Sequence, residues 1–116
     1  VTFNVTGDRL NAILNQRSQD ILAAGNWNVV QYAALVMMIA QVSGLKPGIL
    51  MHVIADAHIY DRHIPIVKDL ITRPTYPAPK VTLNPLVKDF YEFTVDDFTI
   101  EDYQTGPQIK GIPIAE

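Results

Sequence analysis

Apolar and polar positions alternate along GILMHVIADAHIY, residues 48 to 60. Odd positions carry Ile49, Met51, Val53, Ala55, Ala57 and Ile59; even ones include His52, Asp56, His58 and Tyr60. Successive side chains leave a strand on opposite faces. The pattern predicts a strand whose odd face packs on a core and whose even face lines a cleft, because a solvated face would more often carry Lys, Glu or Thr. Upstream, VTFNV and RLNAILNQRS flank a Gly7-Asp8 turn signal and predict a hairpin. A chain that opens inside a hairpin is expected to be cut from something longer.

Between these strands lies VVQYAALVMMIAQV, Val29 to Val42, with only Gln31 and Gln41 polar. A helix apolar nearly all round is expected to be buried on most sides, and the run falls short of the roughly 18 apolar residues that span a bilayer. Asn26 or Asn28 can cap its start. Ser43-Gly44 can end it, with Pro47 blocking continuation. Ile64, Val67, Leu70 and Ile71 have helical spacing within residues 61 to 72. Arg73-Pro74 and Pro77-Ala78-Pro79 make a rigid loop, Val81–Leu83 and Phe98–Ile100 read as strands, residues 84 to 97 fit no single pattern, and the tail from Gly106 is punctuated by Gly and Pro. These elements predict an α+β fold: a mixed sheet with a long buried helix packed on it and a second short helix after Tyr60, the sheet incomplete in this chain.

Composition narrows the function. A length of 116 residues suits one domain, residues 1 to 116. With 48% hydrophobic and 18% charged residues, the chain is expected to bury surface against another subunit or a further part of its own protein. A net charge of -3 gives no electrostatic reason to bind nucleic acid. The absence of cysteine excludes disulfides, thiolate metal sites and a cysteine nucleophile from these residues. His52, His58 and His63 lack familiar ligand spacing, so no metal is expected. VTFNVTGD has no basic segment followed by an apolar one, so Asn4-Val5-Thr6 is read as a chance match to a glycosylation site.

Three groups carry candidate chemistry. Arg17-Ser18 at a strand end offers a guanidinium fork and a hydroxyl to a phosphate; a surface arginine beside a turn serine is the plain alternative. Asp20 and Asn28 flank the entry to the apolar helix. Asn28 either caps that helix or offers one acceptor and two donors to the edge of a uracil ring. His58 and Tyr60, two apart on one strand face, can both hydrogen-bond a ligand hydroxyl.

In order and spacing these pieces resemble the thymidylate synthase family. The resemblance rests on Gln16-Arg17-Ser18 with Asp20, then Asn28 and Tyr32-Ala33, Asp56-Ala57-His58-Ile59-Tyr60, Arg73-Pro74, Asp97-Phe98, Tyr103, Pro107 and Ile109-Lys110. It implies methylation of 2'-deoxyuridine 5'-monophosphate (dUMP), with 5,10-methylenetetrahydrofolate giving the one-carbon unit and the hydride. A cysteine thiolate adds to the uracil ring in that chemistry, and by spacing it would lie just before Val1. The chain is thus expected to be the C-terminal part of the enzyme, inactive alone. The resemblance assigns Arg17, Asp20 and Asn28 to catalysis. Arg17 and Ser18 hold the phosphate, Arg17 also lowering the thiolate pKa. Asp20 faces the folate and orders the site, Asn28 reads the uracil, and His58 and Tyr60 take the 3'-hydroxyl. Ile114 and Ala115 belong to a tail that closes over the ligands, and Trp27 stands near the folate where the family has Phe. It further implies a cytoplasmic homodimer packed through its sheets, each subunit lending arginines to its partner's phosphate site, with no membrane and no nucleic acid required.

Two departures stand out: Ala24-Gly25-Asn26-Trp27 replaces the family's Gly-Leu-Pro-Phe, and Glu116 ends the chain where a small apolar residue is common. Two other functions fit the same residues: a deoxycytidylate hydroxymethylase of the same fold, which would favour Asp at position 28, and a non-catalytic nucleotide-binding or assembly module.

Overall fold

β1 (Thr2–Thr6) and β2 (Arg9–Asp20) form the hairpin, paired antiparallel from Thr2 opposite Ile13 to Thr6 opposite Arg9. Its two-residue loop opens on Gly7 at φ +61, the position that glycine fills in a type II′ turn. The structure, a computed structural model, describes residues 1 to 114. β1 stops at Ile13 of its neighbour, so the far half of β2, from Leu14 to Asp20, has one edge unpaired among the described residues.

The chain leaves β2 through α1 (Gly25–Val42) and returns as β3 (Lys46–His58), which pairs parallel to β2 from Arg9 opposite Lys46 to Asp20 opposite His58. The sheet, in order β1-β2-β3, is therefore mixed. The β2–β3 register slips by one residue near Gly48, where Asn11 Oδ1 accepts the Ile49 N–H at 2.8 Å. A Cβ on Gly48 would lie 2.2 Å from that Oδ1 and 2.8 Å from the Leu10 carbonyl oxygen, so only glycine fits.

Leu10 and Ala12 of β2 pack against Val36 and Ala40 of α1, with Ile39, Leu45 and Leu50 around them. These strand residues occupy the even face. The expected orientation of β3 is thus reversed: the face of His52 and His58 turns toward the α1 side and is half-buried, while Ile49 (70% exposed), Met51 and Val53 stand open. Alternation sorts side chains into two faces but does not say which face the helix will cover. The helix departs from expectation too. It buries one stripe, Val36 and Ala40, and leaves Trp27 and Val30 exposed.

Neither asparagine caps α1. The N-cap residue is Ala24, without a side-chain bond. The Asp20 carboxylate accepts the Leu22 and Ala23 N–H groups of the turn that precedes the helix, and Gln19 Nε2 donates to the Gly25 carbonyl at 2.5 Å. The other end follows the sequence. Gly44 sits at φ +69, its N–H bonds Gln41 O, and Leu45 N–H reaches Ala40 O, closing a Schellman motif.

After β3 a 3-10 turn, Asp61–His63, runs into α2 (Ile64–Leu70). β4 (Lys80–Leu83) and β5 (Phe98–Glu101) make a separate antiparallel pair. The unassigned residues 84 to 97 hold two 3-10 turns, Phe90–Glu92 and Val95–Asp97. Gln41 ties this unit to α1, donating to the carbonyls of Asn84 (2.8 Å) and Val87 (2.9 Å). The fold class is α+β, as expected.

Candidate active site

Two parallel strands ending side by side bring their C-terminal residues to one edge of the sheet, where ligands of α/β units tend to bind. Here that edge joins Asp20 of β2 to His58 of β3, direct register partners, with Ser18 opposite Asp56 one step behind. Tyr60 follows His58, its ring edge-on at 5.2 Å between centroids. The loop into α1 starts at the same edge, which sets the first turn of α1, including Asn28, beside the open edge of β2.

Arg17 and Asn28 meet there. With Gln16, Gln31 and Tyr32 they line a cavity of ≈ 280 Å³. Asn28 is half-buried, does not cap the helix, and its amide makes no hydrogen bond among the described residues. The Arg17 guanidinium is exposed and likewise has no partner there. The cavity thus pairs an uncommitted cation with an uncommitted amide able both to donate and to accept. It suits an anionic ligand carrying a planar polar edge.

The strand beneath is braced by two side chains for which the sequence suggested no such role. His52 Nε2 donates to Gln16 Oε1 at 2.8 Å, and Gln16 Nε2 donates to the Ser18 carbonyl at 2.9 Å. His52 therefore supports the Arg17-Ser18 segment from the adjacent strand. Gln19, at the unremarked position of the Gln-Arg-Ser-x-Asp stretch, is 3% exposed. Alternation along β2 gave no sign of that burial, which follows from the turn that Gln19 and Asp20 stabilise.

His58 and Tyr60, expected to take a ligand hydroxyl, stand close together at the same strand end. His58 Nδ1 lies 3.4 Å from the Asp56 carbonyl oxygen and 3.6 Å from its carboxylate. A proton on Nδ1 serves both and leaves Nε2 as the acceptor. Tyr60, partly exposed, adds a phenol that can donate or accept.

The residues assigned to the folate side are more dispersed. Asp20 lies between the two groups above, its Oδ1 holding the Leu22 and Ala23 amides. Trp27 is 78% exposed on the first turn of α1. Ile114 is exposed, its carbonyl accepting from Arg62 at 3.2 Å. Ala115 lies outside the described residues. No group of three or more metal-ligating side chains occurs among the described residues, nor is any helix of theirs long and apolar enough to cross a membrane.

The family model described as thymidylate synthase matches residues 1 to 115. Among solved structures, thermostable thymidylate synthase A from Bacillus subtilis superposes with a TM-score of 0.91 at 38% sequence identity. That match covers 96% of this chain and 40% of the Bacillus chain, so the present chain spans well under half of its relative's length. In sequence and in fold, this chain belongs to the thymidylate synthase family.

Proposed function

We propose that these residues form the nucleotide cradle and part of the folate site of an enzyme that methylates dUMP, with 5,10-methylenetetrahydrofolate as donor of the one-carbon unit and the hydride. The observation that carries the reading is the shared cavity of Arg17 and Asn28, both side chains uncommitted among the described residues, at the open edge of β2. Arg17 with Ser18 takes the phosphate. The Asn28 amide accepts from the uracil N3–H and donates to the O4 oxygen. His58 Nε2 accepts from the 3'-hydroxyl and Tyr60 hydrogen-bonds the same oxygen. Asp20, Trp27, Ile114 and Ala115 face the folate, Asp20 with its Oδ2 free of the turn bonds that engage Oδ1.

The thiolate that attacks ring carbon 6 comes from a cysteine outside these 116 residues. Arg17 stands where its charge can lower that thiol's pKa. The isolated chain is accordingly inactive. A cytoplasmic homodimer covers the open odd face of the sheet, where Ile49, Met51 and Val53 are exposed.

The test uses the complete enzyme. Asn28→Asp removes both donors and leaves only acceptors, which suits the amino group of cytosine. Preference for dUMP over the deoxycytidine nucleotide falls by roughly ten- to hundred-fold, the worth of about 1–3 kcal/mol for mismatched buried polar groups. An unchanged preference removes Asn28 from base recognition. A wild-type enzyme binding the cytidine nucleotide more tightly points to the hydroxymethylase, and tight dUMP binding without turnover points to a binding module.

A further inference from the structure

His63 is the one large side chain among the described residues with less than 2% of its side chain exposed, and its two nitrogens face different parts of the molecule. Nε2 is 2.9 Å from the Pro113 carbonyl oxygen. A carbonyl only accepts, so Nε2 carries a proton and donates it. Nδ1 has no hydrogen-bond partner among the described residues and lies 3.8 Å from Oδ1 of Asp20. The neighbouring Arg62 donates to the Ile114 carbonyl, so two consecutive side chains of one turn hold the end of the tail. Tyr60 packs edge-on against both His63, at 5.7 Å between ring centroids, and His58, at 5.2 Å.

We propose that His63 is a positioning residue that couples docking of the C-terminal tail to the orientation of the Asp20 carboxylate. The proposal rests on the reading of Asp20 and Ile114 as parts of the folate side. A histidine buried for structure alone would have both nitrogens satisfied; here one is satisfied by the tail and the other abuts Asp20. The imidazole is rigid, so its two ends move together. Withdrawing Pro113 strands a buried N–H, and the ring must turn or admit water to recover a partner. Either motion shifts Nδ1 against Asp20 Oδ1, the atom that also holds the Leu22 and Ala23 amides. The dependence runs both ways by thermodynamic linkage: disturbing Asp20 loosens the tail.

The complete enzyme, saturated with dUMP, provides the test. Asp20→Asn changes a side chain that makes no hydrogen bond to the tail, yet hydrogen exchange at the Gly111, Ile112 and Ile114 amides rises by about tenfold. His63→Gln places an amide nitrogen near the Nε2 position, keeping the Pro113 bond while leaving Asp20. In that background Asp20→Asn no longer affects tail exchange, and the KM for methylenetetrahydrofolate rises while dUMP affinity holds. Tail exchange unmoved by Asp20→Asn overturns the proposal. So does a His63→Gln enzyme in which dUMP affinity, tail order and melting temperature fall together, since that marks a plain folding role. The two readings fail separately. Faster tail exchange with an unchanged folate KM keeps the coupling and removes Asp20 from the folate site; a raised KM with an unmoved tail does the reverse.

Discussion

The two faces of the central sheet are built from the same strands and have opposite fates. On the even face, Leu10, Ala12 and Leu14 are buried, and α1 lies across Leu10 and Ala12. On the odd face, Ile13, Ile49, Met51 and Val53 are all more than 40% exposed, although they are no less apolar. Hydrophobic character alone did not decide which face is covered. The crossover decided it: a helix joining two parallel strands lies on one face and shields that face only. The polar side chains of the covered face, His52, Gln16 and His58, were then drawn inward with it. They either found partners or, at the strand ends, became the wall of a site. Among the described residues no element lies over the odd face, and its apolar residues are free to meet another surface.

The widest gap between the faces is in stability. Truncating Leu10 to Ala leaves a cavity between β2 and α1 and costs about 2–5 kcal/mol, measured by denaturant unfolding. Met51→Ala, from the open face of the same sheet, changes stability by roughly 0.5 kcal/mol or less in this chain. In the assembled enzyme the cost of Met51→Ala grows if a second copy covers that face. An equal loss for the two variants in the isolated chain would break the comparison, because it would mean that both faces are buried in solution.

The next effect belongs to the seam between the faces. Gly48 lies where the β2–β3 register slips, and a methyl group there collides with Asn11 Oδ1 and the Leu10 carbonyl. The side chain can move but the backbone oxygen cannot, so Gly48→Ala costs about 1–3 kcal/mol. Asn11→Ala in the same chain relieves the side-chain part of the clash and leaves the backbone part. Partial rescue, read from unfolding midpoints, supports the seam as the origin; a Gly48→Ala chain of wild-type stability excludes it.

This contrast also explains what the sequence made legible. The hairpin, the end of α1 and the two strand pairs depend on local signals: Gly7 at a turn, Gly44 at a helix C-terminus, alternation in β3. The start of α1 was not legible because the helix opens at Ala24 without any side-chain cap, entered from a turn that Asp20 holds through the Leu22 and Ala23 amides, whereas Asn26 and Asn28 offered the more familiar local solution. The covered face of β3 was misjudged because period-two patterning is symmetric under exchange of faces and carries no record of where a helix will cross. In the site, the proximity of Arg17 and Asn28 rests on a tertiary feature, the early end of β1, which the spacing of the motif implied only through resemblance. His63 left no signal of its own, because its burial and its contact with Pro113 depend on a tail fifty residues away.

The smallest effect lies where the covered side ends. Gln41 joins α1 to the β4–β5 unit, and beside that joint Asp97 is held by the Thr94 N–H at 2.7 Å, the Thr94 hydroxyl at 3.0 Å and the Asn84 amide at 2.9 Å. The Thr94 backbone bond first, then the Asn84 amide, favour the ionised form and hold the Asp97 carboxyl below its ordinary 3.8. With a folded-state pKa lower than the unfolded one, the unfolded chain binds the proton first. The contribution of Asp97 is therefore complete at neutral pH and lost as pH falls through 3.8 and on through the lower folded value. Acid should loosen the Thr94–Asp97 turn and leave the Gly7 hairpin closed. In an amide-exchange series across that range, Thr94 then loses protection before the β1–β2 amides do. Asp97→Asn removes the difference, since its neutral amide cannot take up the proton. Equal loss of protection in both regions would place the acid-sensitive group elsewhere, with Asp8 the next candidate, because its ion pair with Lys46 holds its carboxyl low as well.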